Sequence, residues 1–124
     1  MIFLICPVRI VTEEELKTIE SFVEQVEKSG KKIYCPFRDT NQVDETGGYR
    51  ICRDNYHAMS NSTKIYIWWN KNSLGSHFDL GMAFVLNKLF NKKIFLVNDE
   101  NIEETDEKSF LKVIKKISSK LDEE

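Results

Sequence analysis

A carboxylate that takes part in a reaction must be held at a fixed place, and Asp79 has the setting for it. It lies in NKNSLGSHFDLGMAFVLNK, residues 70–88, where the apolar run IYIWW gives way to a short polar turn and then to a helical period. Ser76 and Asp79 stand three apart at the start of the predicted helix. One reading is a capping box, in which each side chain takes one orphan N–H. The other is a carboxylate held at a rim by rigid elements, placed to act on an electron-poor carbon. Gly75 and Gly81 favour the second. A glycine inside a helix costs about 1 kcal/mol relative to alanine and is kept where a ligand or backbone comes close.

Other polar groups have weaker claims. Asp54 stands three before His57, so one helix face can carry both, with the aspartate orienting the imidazole; a solvated helix face is the simpler explanation of an isolated D-x-x-H, and its place at the start of a helix after the polar loop is what raises the pair. Arg9, Arg38, Asp39, Asn41, Gln42 and Asp44 fall in predicted loops, where polarity alone says little. Arg38 beside Asp39, just after a strand end, presents a fork to a planar or anionic ligand. Ser73 and the N–H groups after Gly75 suit a phosphate or a sugar hydroxyl. Neither GxxxxGK[ST] nor GxGxxG occurs, which removes support for triphosphate hydrolysis and for a dinucleotide site of that kind. Cys6, Cys35 and Cys52 form no CxxC pair and read as free thiols in a reducing compartment. Two histidines and scattered cysteines supply too few spaced ligands for a metal, and no cofactor is expected.

The elements that must position these groups alternate. Ile2 to Cys6 is a short apolar strand ended by Pro7. Thr12 and Glu15 make a capping-box signature, and Leu16, Ile19, Phe22, Val23 and Val26 form one face of a helix that stops at Gly30. Lys32 to Cys35 is the second strand, followed by a polar loop from Phe37 to Gly48. A helix over Tyr49 to Asn61 precedes the third strand, Lys64 to Trp69. Trp68 and Trp69, adjacent at its end, point to opposite faces. In the helix that follows, Phe78, Met82, Val85, Leu86 and Leu89 mark the face expected to be buried. Lys93 to Val97 is the fourth strand, Asn98 to Asp106 an acidic loop, and Phe110, Ile114, Ile117 and Leu121 mark a last helix. The order βαβαβαβα predicts right-handed crossovers, a parallel sheet in order 2-1-3-4, and polar loops converging on the carboxyl edge.

The chain has 124 residues, enough for one domain that buries roughly two thirds of its unfolded surface. With 18 Lys and Arg against 20 Asp and Glu it has no concentrated basic stripe, which argues against a nucleic-acid polymer as partner. The opening MIFLICPVR is too short and lacks the basic lead for a signal peptide or a membrane span, so a cytoplasmic protein is expected.

Four segments together resemble the nucleoside 2-deoxyribosyltransferase superfamily, which includes the deoxynucleoside monophosphate N-glycosidases. They are IFLICPVR, YCPFRD after strand two, the aspartate in ICRDNYHAM, and NSLGSHFDLGMAF, which is similar to the family's S-x-G-x-x-x-E-L-G-x-A segment. The resemblance covers about the first hundred residues in matching order. It implies cleavage between a nucleobase and a deoxyribose through a carboxylate nucleophile, the family glutamate falling on Asp79. It further implies that Asp54 engages the sugar or the nucleophile's surroundings, that Ser73 meets the 5′ side or a 5′-phosphate, and that the Pro7 to Arg9 and Arg38 to Asp39 loops meet the base or phosphate. Sites in this family lie at subunit contacts, which implies at least a dimer, with Asn98 or a neighbouring chain's loop completing each site. Aspartate is about 1.5 Å shorter in reach than glutamate, and a misplacement of about 1 Å can cost a hundredfold in rate.

The expected fold is therefore a single doubly wound, flavodoxin-like α/β domain with a four- to five-stranded parallel sheet. The expected ligand is a nucleoside or its 5′-monophosphate, cleaved or transferred at the N-glycosidic bond. A nucleotide-sensing module that kept the pocket and lost turnover is the alternative. A dimeric structural protein is the third reading, with the exposed face of the Tyr49 to Met59 helix available for pairing.

Overall fold

Four apolar runs become four parallel strands because each is followed by a helix long enough to carry the chain back across the sheet. The computed structural model describes residues 1–98 and 109–119, so Leu121 and most of the acidic 98–106 loop lie outside the described residues. Strands β1 (Ile2–Ile5), β2 (Ile33–Tyr34), β3 (Lys64–Ile67) and β4 (Lys93–Leu96) form one parallel sheet in order β2-β1-β3-β4, as expected. The register sets Ile2 beside both Ile33 and Lys64, and Lys64 beside Lys93. At the outer edge of β4 a single parallel bridge joins Ile94 to Ser118, whose neighbour Ser119 donates its N–H to the Ile94 carbonyl. The fifth strand of the expected range is thus one bridge, beside four full strands.

Helix α1 (Glu13–Lys28) packs one face of the sheet, with Ile19 and Val23 against Ile2, Leu4, Tyr66 and Phe95. Helices α3 (Tyr49–Ser60), α4 (Leu74–Phe90) and α5 (Phe110–Ile117) pack the other, with Met59, Leu80, Ala83 and Ile114 against Phe3, Ile5, Ile65 and Ile67. That is a doubly wound domain. Trp69 joins the second face and Trp68 the first, so the adjacent indoles do part.

The start of α1 is capped as predicted on one side only. Thr12 accepts from the Glu15 N–H, but the Glu15 carboxylate does not fold back to complete a box. It reaches the carboxyl end of β3, accepting from Asn70 Nδ2 at 3.0 Å and Trp68 Nε1 at 3.4 Å. The carboxyl end of α3 has a different clasp: Lys92 Nζ donates to the Met59, Ser60 and Ser62 carbonyls, which satisfies acceptors the helix leaves orphaned. Partial burial lowers the pKa of this lysine.

Two expectations are corrected here. The segment after β2 begins with a short helix, α2 (Pro36–Asp39), where a loop was predicted. Proline at its first position needs no N–H partner, and Asp39 accepts from the Cys35 N–H at 2.9 Å. In α4 the buried residues are Ser76, Asp79, Leu80, Ala83 and Leu86. Phe78, Val85 and Leu89, predicted to be inside, are 56%, 51% and 69% exposed. Only Leu86 and the partly buried Met82 of the predicted set turn inward. The helix is apolar nearly all round, so periodicity found a stripe but not the one that meets the sheet.

Candidate functional site

The carboxyl ends of β1 and β2, the start of α3 and the start of α4 meet around a cavity of about 610 Å³, a size usual for small-molecule sites. It sits beyond the strand ends where the order reverses between β1 and β3, the place where open α/β sheets bind ligands. Its wall includes Cys6, Arg9, Gln42, Asp44, Asn55 and Asp79, with Ser73 and Gly75 at the α4 end.

Asp79 is 6% exposed and faces this cavity from the second turn of α4. The cap of α4 is Ser73, whose hydroxyl accepts from the Ser76 N–H at 3.2 Å and from Ser76 Oγ at 2.8 Å. Asp79 therefore takes no part in capping, and the capping-box reading falls. Burial raises its pKa from 3.8 to about 7. Burial also pushes the Cys52 thiol upward, and the Asp79 charge adds to that shift and to the upward shift of Cys6. For Cys6 the larger cause is a hydrogen bond with Cys35, followed by burial. Burial alone accounts for the shift, with no cation among the described residues offsetting it, so the carboxyl changes charge near neutral pH.

Gly75 borders the cavity and a Cβ there would meet nothing within 4 Å, so open space, not a neighbouring backbone, adjoins it; the same holds for Gly81 on the outer side of the helix. Gly48, which precedes α3 with φ of 108° and ψ of −11°, sits with Gly47 on the opposite lip. Both have the positive φ that side chains disfavour, so the turn into α3 needs glycine.

The loop between α2 and α3 is bound by its own polar groups. Gln42 Nε2 donates to the Pro36 and Thr40 carbonyls, and Thr40 Oγ1 donates to Asn55 Oδ1 at 2.8 Å. Asp44 accepts from the hydroxyl and N–H of Thr46 and from the Ile51 N–H, which hold its pKa well below the usual carboxylate range. Arg50 fastens the same loop from α3, donating to the Asn41 and Val43 carbonyls and to Asp54.

Of the residues singled out from sequence, the structure brings Asp79, Ser73, Gly75 and Arg9 to one wall. It does not bring Asp54 there. The Asp54 carboxylate pairs with Arg50 and lies 3.8 Å from Arg53, while His57 packs on the Tyr56 ring. Arg38 and Asp39 also turn away: Arg38 bonds Asp39, Glu27 and the Ile33 carbonyl, on the α1 side of β2. Burial works to raise the pKa of Asp39, but the hydrogen bonds from Arg38 and Cys35 outweigh it and bring it down; the bonds to Asp39 and Glu27 raise that of Arg38. Pro7 is fully buried behind the wall. Asn98 is spent on backbone, accepting from the Trp69 N–H at 2.8 Å and donating to the Trp69 carbonyl at 2.9 Å, which ties the ends of β3 and β4.

Sequence reasoning missed Asn55 and Cys52. Asn55 carried a signal, since it is the one polar residue among the buried positions of α3, Asn55, Ala58 and Met59. Among the described residues no group of three His, Cys, Asp or Glu side chains is placed to hold a metal ion, and no helix is long and apolar enough to cross a membrane.

Among solved structures the chain is similar to the 2-deoxyribosyltransferase of the psychrotolerant bacterium Bacillus psychrosaccharolyticus, with a TM-score of 0.63 at 18% identity over 82% of this chain and 76% of that one. At that identity the likeness is one of fold. No family model and no curated protein sequence matches the chain.

Proposed function

We propose that the cavity binds a nucleoside or its 5′-monophosphate and that Asp79 acts on the sugar to cleave or transfer at the N-glycosidic bond. The observation that carries this reading is a nearly buried carboxylate, raised to about 7, in the wall of a cavity at the carboxyl edge of the sheet. The distant likeness in fold to a 2-deoxyribosyltransferase supports it. In this reading one Asp79 oxygen attacks C1′ as the C1′–N bond breaks, and the base leaves with the bonding pair and takes up a proton. Water, or a second base, then displaces the aspartyl ester. Ser73, Gly75 and Arg9 hold the sugar or its phosphate. Arg38 and Asp39 brace the end of β2, Asn98 ties the ends of β3 and β4, Pro7 is buried at the end of β1, and Asp54 acts through Arg50 on the loop that carries Gln42 and Asp44. At least two copies assemble.

One feature favours the second reading, a sensing module without turnover. The other wall carboxylate, Asp44, is already committed to Thr46 and Ile51, which leaves Asp79 without a partner to assist the leaving base. Incubating the protein with mixed deoxynucleosides, deoxynucleoside monophosphates and ribonucleotides, followed by chromatography for free base, separates the two. Release by wild type and not by Asp79→Asn supports the enzyme. Binding with no release from any of them supports the sensor.

A further inference from the structure

A neutral nucleobase that leaves C1′ with the bonding pair departs as an anion unless an acid protonates it, and such an acid is worth about a hundredfold to ten-thousandfold in rate. The titratable and charged groups that line the cavity are Cys6, Arg9, Asp44, Cys52 and Asp79. None is suited to be that acid. Asp44 accepts three hydrogen bonds, two from Thr46 and one from the Ile51 N–H, all of which favour its ionised form. Asp79 must itself be ionised to attack. Arg9 does not give up its proton, and both thiols are held above the ordinary thiol range, which makes them weaker acids.

The same wall suits a base that carries its own positive charge. Asp44 and Asp79 both belong to it, and the only cation among the lining residues, Arg9, is exposed to solvent. A cationic ring beside Asp79 supplies the counter-charge that its buried place lacks, and so favours the ionised, attacking form. The neutral polar groups add a second preference. Gln42 spends both Nε2 hydrogens on the Pro36 and Thr40 carbonyls, and its Oε1 bonds no described residue. Asn55, 6% exposed, accepts at Oδ1 from Thr40, whose hydroxyl accepts in turn from Tyr34 at 2.5 Å, and its Nδ2 bonds no described residue. One amide acceptor and one amide donor are thus left at the wall, the complement of a carboxamide.

We propose that the substrate of this site is an N-glycoside of a positively charged base, a pyridinium carboxamide, whose ring leaves as a neutral molecule and needs no acid. The inference rests on Asp79 as the attacking group and adds the nature of the leaving group. One Asp79 oxygen bonds to C1′ as the C1′–N bond breaks, and the bonding pair cancels the ring's charge. Water then displaces the aspartyl ester at C1′, giving the free sugar, the Asp79 carboxylate and one proton released to solvent. No oxidant, reductant or second acid enters.

The test incubates the full chain with nicotinamide riboside and its 5′-monophosphate, and in parallel with adenosine, cytidine, their 2′-deoxy forms and the 5′-monophosphates of each, followed by chromatography for the free base. Asp79→Asn and a protein-free control run alongside, with thermal unfolding to show that the variant is folded. Wild type is expected to release nicotinamide at least about a hundredfold faster than any neutral base, and Asp79→Asn to release none above the control. For nicotinamide release, kcat/KM should rise about tenfold per pH unit below about 7 and stay level above it, because only the ionisation of Asp79 is required. Gln42→Met, which removes the amide acceptor, should raise KM for nicotinamide riboside several-fold, and an unchanged KM overturns the carboxamide contact. Neutral bases released at a comparable rate overturn the inference and leave the wider reading of Asp79 intact. A kcat/KM that falls again at alkaline pH reveals an acid and overturns it too. Release of neither class overturns the inference together with that reading, and nicotinamide release that survives Asp79→Asn removes Asp79 from both.

Discussion

Replacing Asp79 with asparagine should raise stability, and raise it more as the pH climbs. The carboxyl titrates at about 7 in the folded chain against 3.8 unfolded, because burial disfavours its charged form. Between these values the folded state binds more protons than the unfolded one, so stability falls as pH rises and levels off above about 7. Below the unfolded value both states are protonated and nothing is lost. At about 1.4 kcal/mol per unit, the loss is roughly 1 to 2 kcal/mol at about pH 5 and roughly 4 kcal/mol above about pH 7. Asparagine keeps the shape and buries a polar group as well, but it has no proton to lose. The gap between variant and wild type therefore widens by roughly 2 to 3 kcal/mol from about pH 5 to about pH 8, or roughly 10 °C in Tm for a chain of this size. Thermal unfolding of both proteins across that range, at one fixed protein concentration, measures the gap. All other titrating groups are shared and cancel. Parallel curves would show that Asp79 is not held against its charge, and the argument for a reserved carboxylate would go with them.

Two further substitutions follow from the geometry. Ser73→Ala removes the hydroxyl that caps α4 and should cost about 1 kcal/mol in denaturant unfolding, with Ser73→Gly costing less. A wider loss of ligand affinity than of stability in Ser73→Ala would add contact with the ligand to its role as cap. Arg50→Met releases the Asn41 and Val43 carbonyls together, so hydrogen exchange over residues 41–46 should speed up by at least tenfold while the amides of β1 and β3 hold their rates. Unchanged exchange would mean that Asp44 and Gln42 hold the loop without it.

Much of the architecture was legible because it rests on short-range patterns. Apolar runs closed by Pro7 and Pro36, the Thr12 cap and the stop at Gly30 are local signals, and the alternation of strand and helix makes the sheet parallel; crossover handedness alone leaves open which strands are neighbours, and the structure gives the order β2-β1-β3-β4. Asp79 was legible as a residue of interest but not as a buried one. The inward face of α4 carries Ser76, Asp79 and Ala83, small or polar groups that lower its apparent hydrophobicity, while its outward face carries Phe78, Val85 and Leu89. Pattern alone ranks the second face as core. Arg38 and Asp39 misled for another reason: a charged pair after a strand end looks available, yet one turn of helix spends both on Glu27 and the β2 backbone. Asp54 is the same case, since its partner lies one turn back at Arg50 and not one turn on at His57.

The central place of β1 has a consequence for how the chain is made. One edge of β1 pairs with β2, but the other must wait for β3, about sixty residues further along. At roughly 5 to 20 residues per second, that edge is without its partner strand for several seconds of synthesis. Every chain passes through this interval once, with Phe3, Leu4 and Ile5 already translated and the strand that shields them not yet begun. Slower synthesis through residues 35–64 prolongs the interval before β3 can pair, and a chaperone acting on the emerging chain covers the unpaired edge meanwhile.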